Sequence, residues 1–343
     1  VAVPMASEVN GHPSSSENGV GGGGEVYLVT GGSGLLGQAL KRVVEASEGG
    51  AAKGSSKWVF LSSKDADLRD YESSRRLFDK HRPTHVVHLA AKVGGLFANM
   101  ADQVGFFRQN MQMNDNIVSL CHDYKVKRAI FCLSTCVFPP SAPMPLTEDS
   151  LHSAPPHPSN EGYANAKRML ECLARYYRQQ YNDEFVCIIP TNLYGPNDNF
   201  NLEEAHVIPA LIHKCYLAQQ DNQPFVVSGS GKPLRQFLYS DDCARIIYEL
   251  LRTSSEKLTF NSMMCVGDTE HSIKQVADAI VSAMEFKGEV KYDTSKADGV
   301  YKKTASNAIL RGFMPKDFTP IPLEEGIRRA VVWFKDNFDK ARR

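Results

Sequence analysis

From Glu25 onward, short runs of β-branched and aromatic residues alternate with longer stretches in which apolar residues recur at helical spacing. The short runs are VYLVT (26–30), KWVFL (57–61), HVVHLA (85–90), RAIFCLS (128–134) and FVCIIP (185–190). Each is apolar on both faces, which predicts strands covered on both sides and hence a parallel sheet with crossover helices. After the first run, Leu35, Leu36, Ala39, Leu40, Val43 and Val44 fall on one face of a helix. Residues 45–57 read as an exposed loop. Beyond Pro190 the regularity gives way to a Pro-, Asn- and Asp-rich segment, a helix (VIPALIHKCYLAQQ) and short strands. The expected fold class is α/β, a Rossmann-type doubly wound sheet with a smaller, discontinuous C-terminal α/β lobe. The nucleotide-binding part is expected over 25–190, with PFVVSGSG (224–231) and QFLYSDDCARIIYELL (236–251) returning to the main sheet near 224–262. The second lobe takes 191–223 and 263–343.

Composition narrows this picture. The 343 residues are 42% hydrophobic and 23% charged, enough to bury a large core. Lys plus Arg and Asp plus Glu both number 39, so no global field recruits nucleic acid or a membrane surface, and an anionic ligand must meet local cations. The eight cysteines are scattered with no Cys-x-x-Cys pair, which predicts free thiols in a reducing compartment and no metal site. No apolar stretch reaches the roughly 20 residues of a membrane-spanning helix. Residues 1–24, rich in Ser, Gly and Asn, read as a disordered tail in which Met5 is a candidate start. A cytosolic protein is expected.

Between the first strand and its helix lies Gly31-Gly-Ser-Gly34-Leu35-Leu36-Gly37. Glycine is required there because a side chain would block both an approaching pyrophosphate and the helix–strand contact, while the helix-start N–H groups donate to the anion. A ligand-free glycine turn would share the letters but not the strand-to-helix context. At the end of the second run stands Leu61-Ser62-Ser63-Lys64, where an acid would bond a ribose 2′-hydroxyl and repel a 2′-phosphate. Hydroxyls and a cation favour NADP(H), although Asp65 follows. Asp67-Leu68 is placed to approach the adenine, and Leu89-Ala90-Ala91 has small side chains suited to passing a cofactor. Ordinary strand-end residues would look the same.

Further along, Tyr163 and Lys167 stand one turn apart on a predicted amphipathic helix. A phenol of ordinary pKa near 10 exchanges protons poorly with a carbonyl unless its anion is stabilised, which an adjacent ammonium provides. Upstream, Ser134 ends a strand where its hydroxyl reaches the same substrate oxygen. Tyr-x-x-x-Lys alone is a weak signal, but joined to the glycine loop and Ser134 it forms a reducing constellation.

These residues resemble the extended short-chain dehydrogenases. Within that family, LAAKVGG (89–95), NMQMNDNI (110–117), STCVFP (134–139), YANAK (163–167), PTNLYGPNDNF (190–200), HVIPAL (206–211) and GSGKPLRQFLYSDD (229–242) are similar to the branch that epimerises and reduces GDP-linked 4-keto-6-deoxy sugars. The resemblance runs from about Glu25 to the C-terminus. It implies that Cys136 and His206 serve as base and acid on opposite faces of the sugar, since inversion beside a carbonyl needs both. It further implies that Tyr163 protonates the C4 oxygen as NADPH reduces it. Cys136, two residues after Ser134, is expected on the same strand face; a small buried thiol is the commoner fate of a free cysteine. Pro190, Asn192, Leu193 and His206 are implied beside the cofactor, together with Tyr163 and Lys167. Lys214 and Arg235 are implied at the nucleotide diphosphate, and Ser228 and Asp298 at the substrate. Ser33 and Lys214 replace arginines of bacterial members, which shifts the 2′-phosphate contact to Ser62, Ser63 or Lys64 and removes a bidentate fork. A homodimer through the helices containing Met113 and Tyr163 is implied as well. Two alternatives stay open: a nucleotide-sugar 4-epimerase that retains NAD, and a non-catalytic NADP-binding protein of the same fold.

Overall fold

The computed structural model describes residues 24–49, 56–296, 298 and 301–343. The first half contains β1 (Val26–Thr30), α1 (Leu35–Ser47), β2 (Lys57–Phe60), α2 (Tyr71–His81), β3 (His85–His88), α3 (Leu96–Ala101), α4 (Gln103–Asp123), β4 (Arg128–Cys132), α5 (Glu161–Tyr181) and β5 (Phe185–Pro190). The second contains β6 (Asn192–Tyr194), α6 (Val207–Gln220), β7 (Phe225–Ser228), β8 (Leu234–Tyr239), α7 (Ser240–Arg252), β9 (Ser262–Cys265), β10 (Glu270–Ser272), α8 (Ile273–Met284), β11 (Val290–Asp293), β12 (Lys302–Lys303), α9 (Ala308–Phe313) and α10 (Leu323–Asp336). The expected tail, except Gly24, and residues 50–55 of the expected loop lie outside the described residues. Residues 45–47 are helical rather than looped, as α1 continues to Ser47.

The doubly apolar runs become strands because alternate side chains find cover on both faces. Leu28, Val86, Phe131 and Phe185 pack with Leu77, Phe78, Ile117 and Leu170 from α2, α4 and α5. Tyr27, Val29, Val87 and Ile130 pack on the other face with residues of α1, α7 and α9. Three strands stop short of their apolar runs, and the trimmed residues, Leu61, Leu89–Ala90 and Leu133–Ser134, form loops at the C-terminal edge of the sheet. All six strands are parallel, in the order β2-β1-β3-β4-β5-β9. The progression reverses between β1 and β3, which is where a doubly wound sheet opens a ligand crevice.

Residues 224–231 do not return to the main sheet; β7 pairs with β11, and β8 lies in a separate sheet with β6, β10 and β12. Strand β7 alternates buried and exposed positions, so it has one wet face and suits the edge of a small lobe rather than a doubly covered sheet. From this segment only α7, packed on the main sheet, and β9 belong to the larger lobe. That lobe also takes residues 263–265 of β9 and the α9 region out of the 263–343 range expected in the smaller lobe, because their apolar side chains pack on the main sheet. The smaller lobe has its own core around Phe200, Ile212, Phe225, Ile280, Ile327 and Phe334.

A buried polar chain holds the crevice rigid. His88 Nδ1 lies 2.8 Å from Thr30 Oγ1, and its Nε2 lies 3.2 Å from Asn114 Oδ1. Since Oδ1 only accepts, the ring proton sits on Nε2 and Thr30 donates to Nδ1. Burial drives this imidazole down to about 3, so it stays neutral. Asn114 also donates to the Ala166 carbonyl of α5, which ties β1, β3, α4 and α5 into one unit.

Candidate active site

The glycine loop fits a dinucleotide on the geometry of its own backbone. Gly31 has φ +69°, and a Cβ there would stand 2.8 Å from the Ala90 nitrogen, so this position needs glycine twice over. A Cβ on Gly37 would meet the Gly31 oxygen at 2.5 Å, so α1 starts against the loop only because Gly37 lacks one. Gly34 caps α1 with no side-chain hydrogen bond, and the first turn holds no acid. The N–H groups of Leu35, Leu36 and Gly37 therefore present a positive helix end to an anion. Ala90 N donates to Thr30 Oγ1, which brings Leu89, Ala90 and Ala91 to the opposite wall. We expect Gly37→Ala to fold yet bind a dinucleotide at least about tenfold more weakly, read by fluorescence titration, because the loop must move by roughly half an ångström or more to admit the methyl.

At the β2 edge the predicted residues separate. Ser62 donates its backbone N–H and hydroxyl to Asp65 Oδ2 at 2.7 and 2.8 Å, which lowers that carboxyl. Ser62 is therefore committed to a turn, while Ser63 and Lys64 are exposed. Asp67 is held down to about 2 by Arg69, which clasps both of its oxygens. Arg69, a cation with no motif to mark it in the sequence, is thereby held beside Asp67 at this edge.

The reducing set assembles where α5 begins. Gly162 N donates to Gln103 Oε1 at 2.7 Å, and Gln103 donates back to Pro158 O at 2.6 Å, so a residue of α4 fixes the start of α5. The Tyr163 ring meets Phe106 edge-on, at 6.4 Å between centroids and 89° between planes. Lys167, 2% exposed, places Nζ 5.9 Å from the Tyr163 ring centre and donates to the Cys132 carbonyl at 2.6 Å. Burial pushes the Tyr163 phenol well above its ordinary value and pulls the Lys167 ammonium down. The phenol is thus a loaded proton donor at neutral pH, beside a buried cation held by one carbonyl.

Ser134 and Cys136 are neighbours of this pair, but not on a strand. β4 ends at Cys132, and Thr135–Val137 forms a tight helical turn capped by Ser134, whose Oγ accepts from Cys136 N at 3.4 Å. The turn, rather than strand alternation, brings the hydroxyl and thiol together. Its end is gripped by Arg168, whose Nε donates to the Val137 carbonyl at 2.7 Å. Burial raises the Cys136 thiol, and a hydrogen bond from Ser134 with the charges of Lys303 and Lys167 opposes that rise.

From the smaller lobe, His206 caps α6 without a side-chain hydrogen bond. It is exposed, yet enough protein surrounds it that desolvation lowers its imidazole. Its loop touches the loop after β3, since a Cβ on Gly95 would stand 3.5 Å from Glu204. Among the described residues no hydrogen bond joins His206 to Cys136. Pro190 ends β5, and Asn192 donates to Gln236 O at 2.8 Å while Leu193 packs on the main core. Arg235 is half-buried and donates to the Leu234 carbonyl at 2.7 Å. No carboxylate pairs with Arg235 or with Lys214 among the described residues. Ser228 is exposed at the end of β7, whereas both Asp298 oxygens accept from Ser230 at 2.6 Å, so that carboxylate braces the 228–231 turn. His152, Glu171 and Cys172 also cluster, but Arg175 already donates to Glu171 and Cys172 there.

A switch-point crevice floored by a glycine loop, with serine, tyrosine and lysine at its mouth, is the arrangement of a short-chain dehydrogenase-type enzyme. Residues 27–263 match the NAD dependent epimerase/dehydratase family, and the chain belongs to it. The chain is 48% identical to the GDP-L-fucose synthase of Dictyostelium discoideum over 92% of its own length and 97% of that protein's. With the GDP-L-fucose synthase of Escherichia coli it shares 33% identity over 92% and 98%. A crystal structure of a GDP-L-fucose synthetase from Naegleria fowleri bound to NADP superposes with a TM-score of 0.84 at 46% identity, covering 93% of this chain and 96% of that one.

Proposed function

We propose that this chain performs the reaction of a GDP-L-fucose synthase: it epimerises GDP-4-keto-6-deoxy-D-mannose at C3 and C5 and reduces the C4 ketone with NADPH. The observation that carries this is the Cys136 thiol on the Ser134 turn, beside Tyr163 and Lys167. A plain reductase has no use for a second proton-transfer group there. Bound NADPH supplies the hydride for C4. Gly31, Gly34 to Gly37, Leu89 to Ala91 and the Asn192 segment would hold it, with Ser63, Lys64 and Arg69 at the 2′-phosphate.

The protein's own groups do the rest. Ser134 and Tyr163 hydroxyls hold the C4 oxygen, so that a proton lost from C3 or C5 leaves an enolate with two donors in place. Cys136 takes that proton and His206 returns one on the opposite face. The thiol with neutral imidazole and the thiolate with imidazolium carry the same number of protons; burial of both groups favours the first form, and the cations near Cys136 draw the thiol toward the second. Tyr163 then donates to the C4 oxygen during reduction, and Lys167 stabilises the phenolate left behind. Arg235 and Lys214, with no carboxylate on either among the described residues, meet the diphosphate, with Ser228 as a further substrate contact. Incubation with NADPH and the 4-keto substrate in D₂O tests the proposal: NMR should identify GDP-L-fucose deuterated at C3 and C5, and an unepimerised product would refute it.

We further infer a homodimer. Val104 and Tyr176, 69% and 52% exposed, lie with Phe107 and Met169 on the packed helices α4 and α5, an apolar face suited to a second copy. Sedimentation should give twice the chain mass. A cytosolic location suits a thiol that must stay reduced.

A further inference from the structure

Three cations grip the carbonyls around the catalytic turn: Lys167 at Cys132, Arg168 at Val137 and Lys303 at Thr135. The first two come from α5. Lys303 comes from β12 in the smaller lobe, 168 positions away along the chain, and its Nζ lies 3.2 Å from the Thr135 oxygen. Strand pairing fixes it there, because β12 runs beside β8 with Lys303 opposite Arg235. The ammonium is half-buried and no carboxylate pairs with it among the described residues. Its charge is therefore not neutralised locally, and it sits against the turn that carries the thiol.

We propose that Lys303 is a positioning residue that clamps the Ser134–Cys136 turn from the smaller lobe and uses its uncompensated charge to favour the Cys136 thiolate. This rests on Cys136 being the base in the reading above. The groups facing the thiol are Ser134 from its own turn, Tyr163, Lys167 and Arg168 from α5, and Lys303 from β12, with Arg235 behind it. Two of the cations are already committed. Lys167 serves Tyr163, and Arg168 spends its donors on the Val137 and Ala154 carbonyls. Lys303 is left as the cation whose nearest function is the thiol. Burial lowers its own ammonium and the neighbouring thiol raises it, as expected of two groups that stabilise each other's charged form. Through Lys303 the two lobes share the base, and the smaller lobe must be seated for Cys136 to be fully active.

The test separates charge from placement. Lys303→Gln keeps a donor of slightly shorter reach but carries no charge, Lys303→Met loses both, and Lys303→Arg keeps both. Alkylation of Cys136 by iodoacetamide, followed on its own peptide by mass spectrometry from pH 6 to 10 without substrate, reads the thiolate fraction directly. K303Q and K303M should react about tenfold more slowly at pH 7.5, the effect of about one pKa unit from losing a nearby charge, with profiles displaced to higher pH. K303R should stay within about threefold of the parent. In turnover, deuterium entry at C3 and C5 should fall in K303Q while KM for the GDP-sugar changes less than about threefold. Parent-like alkylation in K303Q with a raised KM would make Lys303 a substrate-binding cation and overturn the proposal. Deuterium exchange persisting in Cys136→Ser would instead defeat the underlying reading, and the alkylation profile would still report on the Lys303 contact.

Discussion

Cys136→Ser still oxidises NADPH with the 4-keto sugar but releases an unepimerised 6-deoxy product: this is the result we expect. Exchange of solvent deuterium into C3 and C5 should drop by about a hundred- to ten-thousand-fold, the usual worth of a positioned proton-transfer group. The argument is local. Serine is close to isosteric, and Cys136 reaches Ser134 through its backbone N–H, so the turn and its grips on Val137 and Thr135 persist. Tyr163 and Lys167 are untouched, and the C4 oxygen keeps its donors. What disappears is a group acidic enough to supply a base as its thiolate, since a serine hydroxyl is a far weaker acid. Parent-like deuterium uptake would remove Cys136 as the base.

The parts of this molecule that could be read from the chain are those whose determinants lie close together in it. Strands β1 to β5 follow from runs of five or so apolar residues, and the loop from Gly31 to Gly37 is contiguous. Tyr163 and Lys167 are one helical turn apart. Pairings across the fold were harder. Segment 224–231 looked like a main-sheet strand by composition, yet the partner of β7 is β11, chosen by its single apolar face and not by local sequence. The spacing of Cys136 from Ser134 predicts one strand face, whereas a capped turn brings them together, since both geometries set residue i+2 near residue i. Ser62 and Asp298 have the polar character of ligand groups in the sequence, but in the fold their polar atoms bind within the protein. Lys303 was invisible for the opposite reason. In sequence it is the second of two lysines in a charged stretch, which reads as solvated surface, and only the β12–β8 pairing brings it against Thr135.

The second large effect concerns Tyr163. In Tyr163→Phe, reduction at C4 should fall by about a hundred- to ten-thousand-fold with NADPH affinity within about threefold of the parent, because the ring still packs edge-on against Phe106 and only the proton donor is lost. The pH dependence of the two half-reactions supplies an independent check. Tyr163 acts protonated, and its pKa is raised by burial, so reduction should hold a plateau through neutral pH and decline only on the alkaline side. Exchange needs Cys136 deprotonated and His206 protonated. With the thiol raised and the imidazole lowered by burial, that pair holds a pH-independent share through neutral pH. C3 and C5 exchange should therefore be level there and decline on the acid side, where the imidazolium forms beside the intact thiol. One enzyme should thus show two different profiles, exchange falling on the acid side where reduction stays flat, measured by NMR deuterium content and by NADPH absorbance under single-turnover conditions. Parallel profiles would mean that one group limits both steps. A Tyr163→Phe enzyme that reduces at the parent rate would show that the C4 proton comes from elsewhere, with Ser134 the remaining hydroxyl at that oxygen.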